Sequence, residues 1–447
     1  MSQINNQQLN KRNTTIAIVI VGAMFFIFGL VSWVNAILIP YFKIACELTH
    51  FESYFVAFAF YIAYFCLSIP SAHILNKVGY KRGIMYGFFC MAVGAALFIP
   101  AALTRTYGIF LAGLFVIGAG LTILQSAANP YITIVGPIES AAKRISMMGI
   151  FNKFAGIVSP LIFAAVVLKV TDSSLFTLLE SGTLDEASKN MMLDDLIRRV
   201  IKPYAILSVA LFLFGVFVRY SVLPEIDPEE NNKEEENCTH KRTSIFQFPY
   251  LILGAFALFV HVGTQIIAID TIISYAGSMG MNLLEAKAFP SYTLTATIIG
   301  YMIGIVLIPK YVSQTRALQV CCTLGLLLSF AIILVSKEVV ILGHESTLSI
   351  WFLCALGLPN ALIYAGIWPL SIKGLGRFTK IGSSLMIMGL SGNAIMPIVY
   401  GSFADLWDLQ HAYWVLIPCY IYLIFFAVYG HKIQSWSLKP KIKRHLI

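Results

Sequence analysis

The sequence predicts an all-α membrane protein with twelve transmembrane helices in two pseudo-symmetric six-helix bundles. Three observations carry that expectation. Of the 447 residues, 58% are apolar and only 12% are charged, about half the charged share of a soluble domain. The apolar residues gather into twelve runs, each close to the roughly 20 residues a helix needs to cross about 30 Å of hydrocarbon. One acidic stretch divides these runs six and six.

The runs centre near residues 15–40, 54–75, 84–103, 107–131, 145–168 and 201–222 in the first half, and 247–276, 288–309, 317–336, 348–371, 381–403 and 410–431 in the second. They are continuously apolar, which excludes a barrel built from alternating segments of about ten residues. The first run follows a polar dozen and is longer than the 7 to 15 apolar residues of a cleaved signal, so it reads as span 1.

A net charge of +9 raises nucleic acid as a partner, but the basic residues sit in short loops between spans and read as topology signals. With both termini in the cytoplasm, 21 of the 31 Lys and Arg lie on the cytoplasmic side. Five of the nine on the other side fall between Lys169 and Lys202, in one long outer loop where the charge rule is weak. The expected location is the cytoplasmic (inner) membrane, with the lipid bilayer as partner and no nucleic acid. Six cysteines, among them Cys66, Cys90 and Cys354, lie inside spans, where a thiol packs as a small hydrophobe. No metal spacing or disulfide framework is visible.

The segment Pro224–Arg242 holds seven acids and almost no apolar residues, the composition of a solvated linker. It sets the domain reading: a first bundle over 1–223, an acidic cytoplasmic linker over 224–245 and a second bundle over 246–447. The halves echo each other. Gly118, Pro130, Gly136 and Met148 recur as Gly357, Pro369, Gly376 and Met388, at offsets of 239 to 240 residues. A duplicated six-span unit places a substrate site between the halves near the midplane. Gly29, Pro40, Pro130, Pro160, Gly263, Pro359, Pro369 and Pro397 interrupt the spans, and the backbone groups they disturb need a neighbouring helix or a water-filled cavity.

Ionisable side chains inside the membrane are costly and are functional candidates. Lys153 lies nine residues beyond the interfacial Arg144, about 14 Å along a helix, too deep for its ammonium to reach the cytoplasm easily. Asp270 lies late in span 7. Both are candidates for cation coupling. Seven carboxamides form a second set: Asn35, Gln125, Asn129, Asn152, Gln265, Asn360 and Asn393, in spans 1, 4, 5, 7, 10 and 11. Gln125 and Asn129 are four apart and share a helix face. An amide offers two donors and an acceptor, which suits the mixed hydroxyls of a sugar, although any single one can equally serve as an interhelical hydrogen bond. Trp33 and Trp368 stand beside helix interruptions, where an indole can pack on a pyranose ring and donate its N–H. Trp407, Trp414 and Trp436 read as interface belt residues.

Three runs carry a family resemblance: Phe28 to Tyr41 (FGLVSWVNAILIPY), Gln125 to Thr133 (QSAANPYIT) and Ala365 to Leu370 (AGIWPL). They resemble the fucose/glucose-galactose permease branch of the major facilitator superfamily, and the loop Asn76 to Arg82 is similar to a degenerate form of that superfamily's loop 2–3 motif. The resemblance implies the major facilitator fold and a sugar transporter working by alternating access, often driven by protons. It also implies a carboxylate pair in the fucose members, at positions that are Ala36 and Gln125 here. Neither titrates, a pattern similar to the glucose/galactose members. Superposing spans 1 and 7 on Gly29 and Gly263 puts Ala36 on Asp270, and helical geometry sets Gln265 and Asp270 about 140° apart, so span 7 is expected to unwind at Gly263.

The functional expectation is a monomeric importer of a neutral hexose, coupled to a proton or sodium ion through Asp270, with no cofactor. The alternatives are an uncoupled facilitator, a permease for N-acetylglucosamine or fucose, and, in a different class, a non-transporting membrane sensor. Enzyme chemistry is not expected, because His73, His261, His344 and His411 are scattered along the chain rather than clustered with acids.

Overall fold

The computed structural model describes residues 2–48, 50–134, 141–167, 185–221, 243–281, 283–308 and 310–436. Among them are twelve helices long and apolar enough to cross a membrane. Spans 1 to 6 are Ile18–Ile39, Phe55–Leu75, Tyr80–Thr104, Tyr107–Asn129, Lys143–Val167 and Glu186–Tyr220. Spans 7 to 12 are Pro249–Asp270, Phe289–Leu307, Gln314–Leu334, Leu348–Ile372, Ile381–Leu406 and His411–Lys432. Most of the acidic linker and the first part of the long outer loop lie outside the described residues.

Within span 6 the helix that continues as the apolar crossing is Ile201–Tyr220. Before it comes a separate helix, Glu186–Arg198, in the stretch the sequence had read as outer loop. Asp185 caps it, its carboxylate accepting from the Ser188 amide at 3.2 Å. This outer helix is fastened to the first bundle by charge. Arg105 Nη2 meets Glu47 at 3.1 Å and Nη1 meets Asp194 at 3.6 Å, while Lys189 pairs with Glu47. Glu47 and Arg105 both have left-handed backbone, with φ of 55° and 48°, a conformation that costs a non-glycine residue about 1–2 kcal/mol. The hydrogen bond from Lys189 is the main reason the Glu47 carboxyl is held below the usual carboxylate range. A two-stranded antiparallel hairpin, Glu338–Ile341 with His344–Thr347, forms the connection between spans 9 and 10.

In the first bundle span 4 packs on spans 2 and 3, span 1 on span 5 and span 6 on span 3. In the second, span 10 packs on spans 7, 8 and 9, span 7 on span 11 and span 9 on span 12. The bundles meet through spans 5 and 8 and through spans 2 and 11, where the Ser68 hydroxyl donates to the Ser384 carbonyl. Small residues allow the tight crossings, as is usual where no water drives helices together. A Cβ on Gly29 would stand 2.1 Å from the Asn152 carbonyl oxygen, and one on Gly392 would stand 1.9 Å from that of Phe259. Spans 1 and 5 therefore cross as spans 7 and 11 do, which is the duplication seen in three dimensions. On the outside, Phe65, Val93, Leu161, Phe212, Phe256, Val306 and Ile421 are exposed, an apolar surface too extensive for water and suited to lipid.

Candidate functional site

In span 1 the indole and an amide stand two residues apart, Trp33 and Asn35, on either side of Val34, whose backbone stays helical. The indole lies against Gly156 of span 5, where a Cβ would come within 2.6 Å of the ring. Its Nε1 donates to Asn152 Oδ1 at 3.1 Å, and Asn152 Nδ2 donates in turn to the Phe25 carbonyl at 3.3 Å. Span 1 thus presents Trp33 inward because span 5 offers a bare backbone and an amide at one level.

A cavity of about 120 Å³ opens between the bundles at this level. One water needs about 10–15 Å³ by the same measure, so the space fits one small solute. Amides from both bundles line it: Gln125, Asn129, Asn152, Gln265 and Asn393. Gln125 Nε2 donates to the Tyr64 hydroxyl at 2.9 Å. Lys153, 5% exposed, crosses between the bundles: its ammonium donates to Gln265 Oε1 at 3.1 Å and lies 4.0 Å from the centre of the Trp33 ring.

The other candidates sit elsewhere. Asn35 is buried outside the cavity lining. Asn360 is buried within the second bundle, where its Oδ1 accepts from the Tyr420 hydroxyl at 2.7 Å. Trp368 is fully buried and does not line the cavity; it stacks behind Tyr364, ring centres 5.9 Å apart, and Tyr364 is the ring that faces the space. The helix Pro249–Asp270 runs unbroken through Gly263, so the expected unwinding does not occur. Gly263 instead makes room for Met396, which a Cβ would meet at 2.2 Å. The continuous helix keeps Gln265 in the cavity and turns Asp270 away from it.

Asp270 ends that helix, is 8% exposed, and its Oδ2 has no hydrogen-bond partner among the described residues. Tyr54 and Tyr61 at the start of span 2 lie within reach of its charge, and Tyr61 also reaches Asn35. Tyr61 lines the cavity as well, so one tyrosine connects the amide-lined space with the buried carboxylate. Sequence reasoning missed the tyrosines of the wall, Tyr61, Tyr64, Tyr301 and Tyr364. Their signal was a hydroxyl-bearing ring recurring mid-span, which reads equally well as core packing.

Residues 21–391 match the model of the Major Facilitator Superfamily. The chain belongs to the Major Facilitator Superfamily. Members of this superfamily similar to it include the glucose/galactose transporter of Brucella abortus (strain 9-941), 30% identical over 432 residues that cover 96% of this chain and 97% of that one. The L-fucose-proton symporter of Escherichia coli (strain K12) is 29% identical over 397 residues, 88% of each chain. Among solved superfamily structures, FucP in the outward conformation aligns with a TM-score of 0.74 and 26% identity, covering 95% of this chain and all of that one. The protein is a multi-pass membrane transporter of this superfamily, not an enzyme.

Proposed function

We propose that this protein imports a neutral hexose of the glucose or galactose kind across the cytoplasmic membrane by alternating access, coupled to a proton or sodium ion through Asp270. The observation that carries the reading is the cavity, in which five carboxamides from both bundles stand among aromatic rings. Amides match the donor and acceptor pattern of sugar hydroxyls, and ring faces pack on the C–H face of a pyranose. The names of the relatives, a glucose/galactose transporter and an L-fucose-proton symporter, favour a sugar as cargo. In this reading the bundles 1–223 and 246–447 rock about the cavity, joined by the linker 224–245. Both termini are cytoplasmic, and the working unit is a monomer without a cofactor.

Coupling needs a site whose occupancy biases the balance of outward and inward states, since a cation bound equally in both shifts nothing. Asp270 suits that role because Tyr61 touches its surroundings and the sugar cavity together. Lys153 contributes as the charge that ties span 5 to span 7 through Gln265. A second reading, the uncoupled facilitator, is favoured by one observation: no carboxylate among the described residues lines the cavity.

The deciding experiment is uptake of labelled glucose, galactose, fucose and N-acetylglucosamine into proteoliposomes, with proton and sodium gradients imposed separately. Accumulation of a hexose above its external concentration under one gradient supports the coupled reading, and simple equilibration replaces it with the facilitator. Uptake confined to fucose or N-acetylglucosamine reassigns the substrate, and uptake of none of the four overturns the sugar reading.

A further inference from the structure

Lys153 places an amine in the cavity wall with no acidic partner among the described residues. The ammonium is buried, and its contacts are an amide oxygen and an indole face, neither of which carries a counter-charge. Among the described residues no acidic side chain lines the space and none forms an ion pair with Lys153. Among the described residues its electrostatic neighbour is His261 of span 7, fully buried, which supplies no negative charge. Asp270, a buried carboxylate five residues beyond Gln265, does not line the cavity, and its charge is felt instead by Tyr54 and Tyr61.

We infer that the specificity of the cavity extends beyond the neutral hexose proposed above and is ranked by charge: a hexose bearing a carboxylate, a hexuronate, binds ahead of the neutral hexose, and a cationic amino sugar well behind it. The inference rests on the reading of this cavity as a sugar site. A hexuronate presents the same ring and hydroxyls to the amides and tyrosines, and its carboxylate supplies the counter-charge that the protein withholds. Low-dielectric surroundings amplify the difference, because Coulomb energies grow as water is excluded. A protonated amino sugar meets the ammonium as a like charge, the repulsive element through which binding sites reject a wrong ligand.

The test is competition binding on the purified full-length protein, with galactose, galacturonate and galactosamine at about pH 6, where the carboxylate is ionised and the amine protonated. Galacturonate should bind about tenfold more tightly than galactose, and galactosamine about tenfold more weakly. In Lys153→Met the ratios among the three should collapse toward one, and in Lys153→Arg the order should persist. The ratio is read within each variant, so partial loss of folded protein does not obscure it. Binding of galactose with no preference among the three in wild type overturns the charge ranking and leaves the hexose reading intact. An order that survives in Lys153→Met overturns the assignment to Lys153. Binding of none of the three removes the sugar reading, and this inference with it.

Discussion

Trp33 in span 1 and Asn152 in span 5 are locked together, the indole Nε1 donating to Asn152 Oδ1 at 3.1 Å while the same amide donates to the Phe25 carbonyl. The amide therefore orients the indole and faces the cavity at once. Asn152→Ala leaves the buried indole N–H without its acceptor and removes a group available to substrate. Sugar affinity should fall by about 1–3 kcal/mol, the usual cost of an unpaired buried partner. Asn129→Ala, on span 4 of the same bundle, should cost about as much. Calorimetric titration of both purified variants checks this, and wild-type affinity in the two together would remove the amides from the substrate site.

Trp368 and Trp407 should separate. Trp368 is fully buried behind Tyr364, so Trp368→Ala opens a cavity and should lower stability by about 3–5 kcal/mol, with any effect on binding passing through a displaced Tyr364. Trp407 is 58% exposed, and Trp407→Ala should leave sugar binding unchanged. Thermal melting beside binding in each variant separates the two roles, and a Trp368→Ala protein that melts normally but fails to bind would place Trp368 in the cavity wall.

Asp270→Asn keeps the shape of the side chain and removes its titration. Accumulation of sugar against its gradient should collapse, while exchange of internal for external sugar survives, because exchange needs the moving carrier but no net cation flux. Undiminished accumulation in the variant would end the coupling role of this carboxylate.

Gly29→Ala would place a methyl 2.1 Å from the Asn152 carbonyl oxygen. That contact is with backbone, so the helices must part. A stability loss of about 1–3 kcal/mol is expected, with weaker sugar binding because Trp33 and Asn152 move with their helices. Melting temperature in detergent measures the first effect, and an unchanged melt would show that spans 1 and 5 yield freely.

Glu47 sets a pH dependence on the outer face. Its carboxyl is held low, chiefly by the hydrogen bond from Lys189, so the stabilisation is present above the ordinary carboxylate pKa and is lost as pH falls through the depressed value. Protection factors for amide exchange in the helix Glu186–Arg198, taken relative to the intrinsic rate at each pH, should fall as the pH drops through the acid range below about 4. Glu47→Gln should show the faster exchange already at neutral pH and a flatter dependence. Protection in wild type that is indifferent to acid would show that the ion pairs do not hold this helix.

Much of the architecture follows from composition alone. Twelve spans, their duplication and the polar side chains within them are legible because lipid forbids unsatisfied polar groups, and any exception stands out against the apolar background. Gln125, Asn129, Asn152, Gln265 and Asn393 could be named as a group for that reason. Helical spacing also separated Gln265 from Asp270 correctly, although the expected remedy, unwinding at Gly263, was not needed. What only the tertiary structure decided is which polar group meets which. Asn35, Asn360 and Trp368 carry the same chemistry as the cavity residues, yet they turn into Tyr61, Tyr420 and Tyr364. The pairing of Lys153 with Trp33 and Gln265 joins three helices from two bundles, and the direction a side chain takes from a helix is fixed by partners distant in sequence, chosen by close packing that no local pattern encodes.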